Sequence, residues 1–529
     1  MALSATGSGP ATEQWAVSKA AASSAGGVVT AHHPLAAHVA CETLRAGGSA
    51  VDAAIAAGFV LGVVEPWMSG VGGGGVMLIR PPGAETPIAL DAAMISSGGV
   101  DPSRYALAAS TAPPPATPSM FPWPAVVDDR NMTGPESICV PGLLDGYRLA
   151  HERFGRLNWA DLVDPARAIA TDGLPVDWYT MLNIAIEARR LSSQPETRDI
   201  YLPDGFPPTP GIAATPTRLS LGALPETLAT IRDQGPRALY DGPLARALAA
   251  DVSARGGPLS ETDLTAYRAA WRKPDRTAYR DTTVFTTPGL TGGPTLSRAL
   301  TLLDGMLDAA NTDAAHLFPA IATALSDAFA ERLRGHGAGG GESCTTHLAA
   351  TDADGMTVSW TQTLLSRFGS AVVLPETGLL MNNGMLWFDP QPGRPNSIAA
   401  GVKPLANMAP TIGIDADGRI AAIGASGGRR IIGAVLQMIA FLTDLGLSPE
   451  QALAQARIDV SGGSDVSVDP KLPPDALAAL RAAHSTVEME NGVHPTTYAI
   501  ASVLRFDPRT NRAEGAASPH QPWPCAAAV

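Results

Sequence analysis

Past the middle of the chain, Gly335-His336-Gly337-Ala338-Gly339-Gly340-Gly341 runs almost directly into Thr345-Thr346-His347. So dense a glycine run disfavours helix and strand alike, because each glycine loses more backbone freedom on ordering than any other residue. It reads as a loop. The residues beyond the loop read as strand over 345–351 and 357–364, with Asp352-Ala353-Asp354-Gly355 between the two. A type I turn with Gly355 in the left-handed position makes this a hairpin with a three-residue loop and a bulge. Asp352 then opposes Met356, and the same register places Thr345 opposite Thr363, so two hydroxyls share one face of the sheet.

That pairing suggests chemistry. An internal threonine is a poor nucleophile because its hydroxyl has no base, but cleavage of the bond before it creates an α-amine in the same residue. A loop ahead of Thr345 gives the bond between Cys344 and Thr345 room to be attacked by its own neighbour, and Thr363 is placed to orient the attacking hydroxyl. The plainer reading is that these are β-branched residues filling a strand, which threonine commonly is.

The rest of the chain alternates helices with short strands. Residues 35–45 have helical spacing and stop at Gly47-Gly48; Ser49 stands where an N-cap belongs before the apolar run 51–64. Further helices are expected over 142–154, 159–170, 243–254 and 431–445, and strands over 76–80, 371–374, 411–414 and 420–423. The proline-rich stretch 112–124 reads as an extended surface loop.

Two other motifs compete with Thr345. Gly70-Val71-Gly72-Gly73-Gly74-Gly75 fits G-x-G-x-x-G, but a strand-like run follows it where a dinucleotide site needs a helix. Gly424-Ala425-Ser426-Gly427-Gly428 fits G-x-S-x-G between a strand and a helix, with Asp465 or Asp469 and His484 or His494 available to complete a Ser, Asp, His order. No HGGG-type segment accompanies it. A milder role for its glycines is to present backbone N–H groups to an oxyanion at a helix N-terminus.

The formal charge of −13 and the absence of any Lys/Arg run exclude a phosphate-binding surface, so nucleic acid is not an expected partner. The longest apolar run is too short to span a bilayer, and the first residues lack the pattern of a secretory signal, so no membrane association is expected. Cys41, Cys139, Cys344 and Cys525 are widely spaced, which points to the reducing cytoplasm. His32-His33 stands without further ligands at metal-binding spacing, so neither a metal nor any other cofactor is expected.

With these residues in hand, the chain resembles the γ-glutamyltransferase (γ-glutamyltranspeptidase) family over nearly its whole length. The first half carries Gly27-Val28-Val29-Thr30, His33-Pro34-Leu35-Ala36, Gly47-Gly48-Ser49-Ala50-Val51-Asp52, Ser69-Gly70-Val71-Gly72-Gly73-Gly74, Val140-Pro141-Gly142 and Gly292-Gly293. The second carries Thr345-Thr346-His347, Thr361-Gln362-Thr363-Leu364, Phe368-Gly369, Asn382-Asn383, Lys403-Pro404-Leu405 and Gly427-Gly428. The resemblance implies a four-layer αββα fold of the N-terminal-nucleophile hydrolase type. It implies autocatalytic cleavage between Cys344 and Thr345 into a mostly helical large subunit, 1–344, and a small subunit, 345–529, together one αββα unit. It further implies Thr345 as nucleophile, Thr363 as its hydroxyl partner, and an oxyanion hole from the amides of Gly427 and Gly428. A dimer of the processed heterodimer is compatible with it.

The departures carry as much information. Family members that take γ-glutamyl donors hold the α-carboxylate with an Arg where this chain has Ala93 and with two serines where it has Ala406 and Asn407. They hold the α-amino group with Asn, Gln or Glu, and Asp where this chain has Leu365, Gly384 and Trp387. A zwitterion brought into a cleft needs a partner for each charge or suffers a desolvation cost of several kcal/mol. The expectation is therefore a small-molecule amidohydrolase, oxamate amidohydrolase-like or acylase-like, whose acyl group is apolar or carries one anion met by Arg367, Arg429 or Arg430. The short segment 390–402 suggests an open site with water as acceptor. The alternatives are a γ-glutamyltransferase or glutathione hydrolase with re-sited contacts, and a non-enzymatic homologue.

Overall fold

The computed structural model describes residues 18–108, 124–211, 217–308, 313–336, 344–461, 463–489 and 498–529. The first residues, the proline-rich stretch up to residue 123, glycines 337 and 339–341 of the loop, and His494 lie outside the described residues.

The hairpin forms in the expected register. Strands Cys344–Asp352 and Thr357–Leu365 pair antiparallel with Thr345 opposite Thr363. Gly355 closes the turn at φ 81°, and Asp352 Oδ1 accepts the N–H groups of Asp354 and Met356. Its other oxygen accepts from Ala50 N at 3.0 Å, tying the turn to the start of a helix. The two strands are the third and fourth of a seven-stranded sheet, running Cys525–Ala528, Gly27–Ala31, Cys344–Asp352, Thr357–Leu365, Gly74–Arg80, Ile88–Ala92, Ala270–Arg272. Every residue of both central strands is buried, because layers cover both faces.

The helix Ala50–Val64 lies against the outer face of this sheet. Ser49 and Asp52 form a capping box at its start, and fourteen of its fifteen residues are buried, as a helix apolar on all sides requires. A Cβ on Gly58 would lie 2.1 Å from Tyr147 Oη, whose hydroxyl donates to Gln362 of the hairpin at 2.5 Å. The same glutamine donates from Nε2 to Gly58 O and Ser69 Oγ. The helix therefore seats directly on the hairpin.

A second seven-stranded sheet is stacked on the inner face, in the order Ala22–Ser24, Arg512–Ala517, Ile500–Asp507, Ile420–Ser426, Thr411–Ile414, Thr282–Thr286, Asp275–Tyr279. Val28, Leu78, Ala349, Phe285, Ile412, Ile420, Leu504 and Phe506 fill the space between the sheets. Helices Gly293–Met306, Ala314–His336 and Arg430–Thr443 cover the far side through a separate apolar core. These are the four layers of an αββα fold. The part before Cys344, besides its eleven α-helices among the described residues, supplies four of the seven strands of the first sheet and three of the seven of the second. Residues 371–374 are not a strand: Ala371 turns through φ 60° after Phe368 at 56°, and Val373 alone bridges to Leu380. The run Gly70–Gly75 serves close packing, because a Cβ on Gly73 would meet Thr363 O at 2.2 Å. Among the described residues no helix is long and apolar enough to cross a membrane.

His33 caps the helix Pro34–Arg45, its Nδ1 accepting from Leu35 N. His32, just past the strand Gly27–Ala31, and His347 are both buried. His347 meets Thr361 Oγ1 at 2.9 Å, and its ring fills the space a Cβ on Gly424 would need. Burial pushes both imidazoles down to about 3, Lys19 adding to the effect on His32 and His32 to that on His347. In the unfolded chain each would titrate near its ordinary value of about 6.5. Below that pH the unfolded chain binds the extra protons, so each histidine should remove about 1.4 kcal/mol of stability per pH unit until the folded pKa is reached. Thermal midpoints measured from pH 7 to 4.5 should fall, and fall less steeply for His347→Gln; parallel curves would refute the assignment.

Candidate active site

The head of the hairpin is irregular. A bulge lies between Cys344 and Thr345, so that Cys344 opposes Leu365 while Thr345 opposes Thr363. Leu365 takes φ 89°, a conformation that strains a side chain with a Cβ. The strain aims a backbone donor: Leu365 N lies 2.7 Å from Thr363 Oγ1. Thr363 Oγ1 in turn lies 2.6 Å from Cys344 O and 3.4 Å from Thr345 Oγ1.

A hydroxyl has one proton to give. The Leu365 amide can only donate and the Cys344 carbonyl can only accept, so Thr363 donates to Cys344 O and accepts from Leu365 and Thr345. This arrangement suits one reaction. As Thr345 Oγ bonds to the Cys344 carbonyl carbon, its proton passes to Thr363 Oγ while the proton of Thr363 passes to Cys344 O. The adduct is neutral and needs no outside base. Its collapse breaks the C–N bond as the adduct's hydroxyl proton passes to the nitrogen, leaving an ester on Thr345 and a free α-amine; hydrolysis of that ester by water then separates the two chains. Thr345 and Thr363 are fully buried in the continuous chain. The reason is that layers cover both faces of the hairpin head.

The second sheet brings Gly427 and Gly428 to the same end of the layers. Gly424 faces His347, and Ser359 Oγ, opposite Ala349, donates to Ile423 O. The strand Ile420–Ser426 therefore runs opposite to Cys344–Asp352, and its exit points towards Thr345. Gly427 at φ 133° and Gly428 at 64° turn the chain into the helix Arg430–Thr443, at the positive end of the helix dipole. Ser426 itself is buried, with no hydrogen-bond partner for its Oγ among the described residues. The partners of a serine triad are engaged elsewhere: His484 Nε2 meets Thr323 Oγ1 at 3.0 Å, Asp469 accepts from Lys471 N, and Asp465 accepts from Ser464. Among the described residues the elbow has its turn without its triad; His494 lies outside them.

The altered positions gather beside this centre. Leu365, Trp387 and Ala406 belong to one apolar cluster with Met94, Cys139, Met385, Phe388 and Met408. Ala93 adjoins it: its carbonyl accepts from Tyr267 Oη, and neighbouring Asp91 is bridged to Lys403 at 2.6 Å, joining the segment of Ala93 to that of Ala406. Gly384 is packed against Cys139, and a Cβ there would lie 2.7 Å from its sulfur. Asn382 holds this contact in place, accepting from Cys139 N and Gly384 N and donating to Cys139 O. Of the arginines expected to meet an anion, Arg430 faces Asp459 at 3.8 Å, and the charge of Arg367 acts on Tyr179. Arg429 is buried, its pKa lowered to about 10 by desolvation.

One residue of this wall is not legible in the sequence. Arg332, on the helix Ala314–His336, is buried and donates to Thr291 O, Thr295 Oγ1, Ala406 O and Asn407 Oδ1. It clamps the segment of Ala406 and Asn407 to the turn before Gly292. Because Arg332 has only donors, Asn407 must turn its oxygen to it and its Nδ2 away. The available signal was helical spacing: Arg332 continues the buried stripe of Leu325, Ala328 and Phe329.

Comparison with known proteins gives the family and the fold. A family model described as gamma-glutamyltranspeptidase matches residues 36–334 and 324–523. The acylase ACY 1 proenzyme of Pseudomonas sp. (strain SE83) is 34% identical over 504 residues, covering 86% of each chain. The glutathione hydrolase proenzyme of Bacillus subtilis (strain 168) is 28% identical over 514 residues, covering 86% of this chain and 84% of its own. A crystal structure of cephalosporin acylase from Bacillus halodurans superposes with a TM-score of 0.84 at 23% identity, over 98% of this chain and 99% of that one, which establishes the shared fold.

The hydroxyl of Thr363 can be tested alone. Thr363→Val keeps the shape of the side chain and removes its proton, so cleavage before Thr345 should slow at least about a hundredfold, the scale of losing one oxyanion donor. Thr363→Ser should still cut. Band intensities of intact and cut chain over time check this, and equal rates for Val and wild type would exclude the relay.

Proposed function

The chain belongs to the gamma-glutamyltranspeptidase family and is an enzyme of the N-terminal-nucleophile hydrolase class; from that premise we propose that it cuts itself before Thr345 and uses the freed threonine to hydrolyse small-molecule amides other than γ-glutamyl compounds. The observation that carries the first half is the single proton of Thr363, held between the attacking hydroxyl and the carbonyl it attacks. After cleavage the new α-amine takes the proton of Thr345 Oγ, Thr363 keeps that hydroxyl in place, and the amides of Gly427 and Gly428 receive the oxyanion. Water then frees the acyl group. The partners are the two subunits of one precursor and, in this reading, a second copy of the processed pair.

The second half rests on the wall. A γ-glutamyl group carries an ammonium and a carboxylate, and Leu365, Trp387, Ala406, Cys139 and Met408 offer neither a partner. A neutral acyl stem, or one bearing a single carboxylate towards Arg429, fits the wall better. The acylase relative supports this choice by its identity of 34%, against 28% for the glutathione hydrolase. Segment 390–402 is pinned to the wall, Asn396 donating to Trp387 O and accepting from Leu405 N. That favours water over a bound amine as acceptor.

Purified protein should separate into chains of 344 and 529 − 344 = 185 residues, the shorter beginning with Thr345. Thr345→Ala should abolish both cutting and turnover, whereas Ser426→Ala should leave cutting intact; the reverse pattern would move the nucleophile to Ser426. In kcat/KM, simple acyl anilides should exceed γ-glutamyl anilide by about two orders of magnitude or more, because several hydrogen bonds to charge are missing at roughly 1.5–3 kcal/mol each. Gly384→Gln alone should not restore γ-glutamyl turnover, since Cys139 occupies the space, and efficient glutathione cleavage by the wild type would overturn the specificity assignment.

A further inference from the structure

The helix Ala50–Val64 ends in a carboxyl that neither the cut nor the acyl transfer uses. Glu65 is its C-cap and is 2% exposed. Its amide donates to Leu61 O and its carbonyl accepts from Met68 N and Ser69 N, so the backbone is fixed. The side chain reaches the hairpin, where Thr346 Oγ1 donates to Glu65 Oε2 at 3.2 Å. Among the described residues no Lys, Arg or His is bonded to it. The titratable group shown to feel its charge is Tyr179 of the helix Trp178–Leu191, on which Arg367 and Cys344 also act.

Two effects oppose a negative charge here, namely burial and the negative end of the helix dipole. Burial raises the pKa of Glu65 well above the ordinary carboxyl range, so the group holds its proton in the uncut chain. This acid, bonded to the hydroxyl of the second residue after the scissile bond, has no cation bonded to it among the described residues. The cut before Thr345 supplies one, because the amide nitrogen beside Thr346 becomes an α-amine of ordinary pKa about 7.7–8.0.

We propose that Glu65 is a positioning residue whose counter-ion is created by the cut, and that the pair sets the protonation of the amine that activates the Thr345 hydroxyl. The inference rests on cleavage at Thr345. The proton balance closes within the pair: the carboxylic acid gives its proton to the amine, forming a carboxylate and an ammonium, and the amine becomes a base when that proton is lost to solvent. The carboxylate holds the ammonium form to higher pH, so activity should rise on the alkaline side of an ordinary α-amine.

The test uses processed wild type and Glu65→Gln with p-nitrophenyl acetate, an activated ester that makes little demand on the acyl pocket. Sequencing of the short chain comes first: a start other than Thr345 would refute the cleavage reading itself. With Thr345 at the N-terminus, the acid limb of the wild-type pH–rate profile should lie above 8, and Glu65→Gln should move it down by about one unit or more. Coincident limbs would overturn the proposal. Should Glu65→Gln not cut or fold, the wild-type amine is titrated directly, by the pH dependence of its acetylation with acetic anhydride read by mass spectrometry. A value above the ordinary α-amine range supports the pair, and one at or below that range rejects it.

Discussion

The chemistry of this protein depends on where one hydrogen atom can go. Thr363 has a single hydroxyl proton, and the Leu365 amide, by donating to the same oxygen, leaves that proton to the Cys344 carbonyl. Remove the amide and the hydroxyl could turn to Thr345, where it would compete with the nucleophile. The strained backbone of Leu365 is therefore functional, and the bulge that produces it is the price of a directed hydroxyl. The surrounding layers keep it rigid. The Ala50–Val64 helix, Gln362 and Tyr147 fix the outer face of the hairpin, and the Ile420–Ser426 strand fixes the inner one.

Around this fixed centre the wall has changed character. The resemblance places polar grips where the chain now has Leu365, Gly384, Trp387, Ala93, Ala406 and Asn407, and the structure shows these positions knitted into packing. Gly384 is small because Cys139 lies against it, and Asn407 is turned by Arg332. Such changes come as sets. A side chain reintroduced at one position meets a neighbour that has already adjusted to its absence, which is why specificity in this wall is difficult to revert one residue at a time.

What the sequence revealed was mostly local. The Asp352-to-Gly355 turn determines hairpin register through its own backbone preferences, so Thr345 and Thr363 could be paired without knowing the fold. Ser49 and Asp52 announced a helix start in the same way. Residues that act through distant contacts were silent. Glu65 touches Thr346 across 281 positions and Arg332 reaches Asn407 across 75; helical spacing marks Arg332 as buried, but nothing local to either names its partner. The strain at Leu365 was equally hidden, because a leucine in the left-handed region is held there by its surroundings. Residues 371–374 looked like a strand for the opposite reason, their apolar character reflecting burial in a turn.

Both sheets combine strands from before and after Cys344. Cys525–Ala528 pairs with Gly27–Ala31, and Arg512–Ala517 with Ala22–Ser24, so the last strands of the chain are bound to the first. Neither piece contains a complete sheet, and each would expose apolar strand faces if separated. Folding information therefore belongs to the continuous chain, and cleavage discards the covalent connection after it has served assembly. The mature protein is in this sense a memory of its precursor: once unfolded, its two chains would have to find by collision what one chain found by being connected.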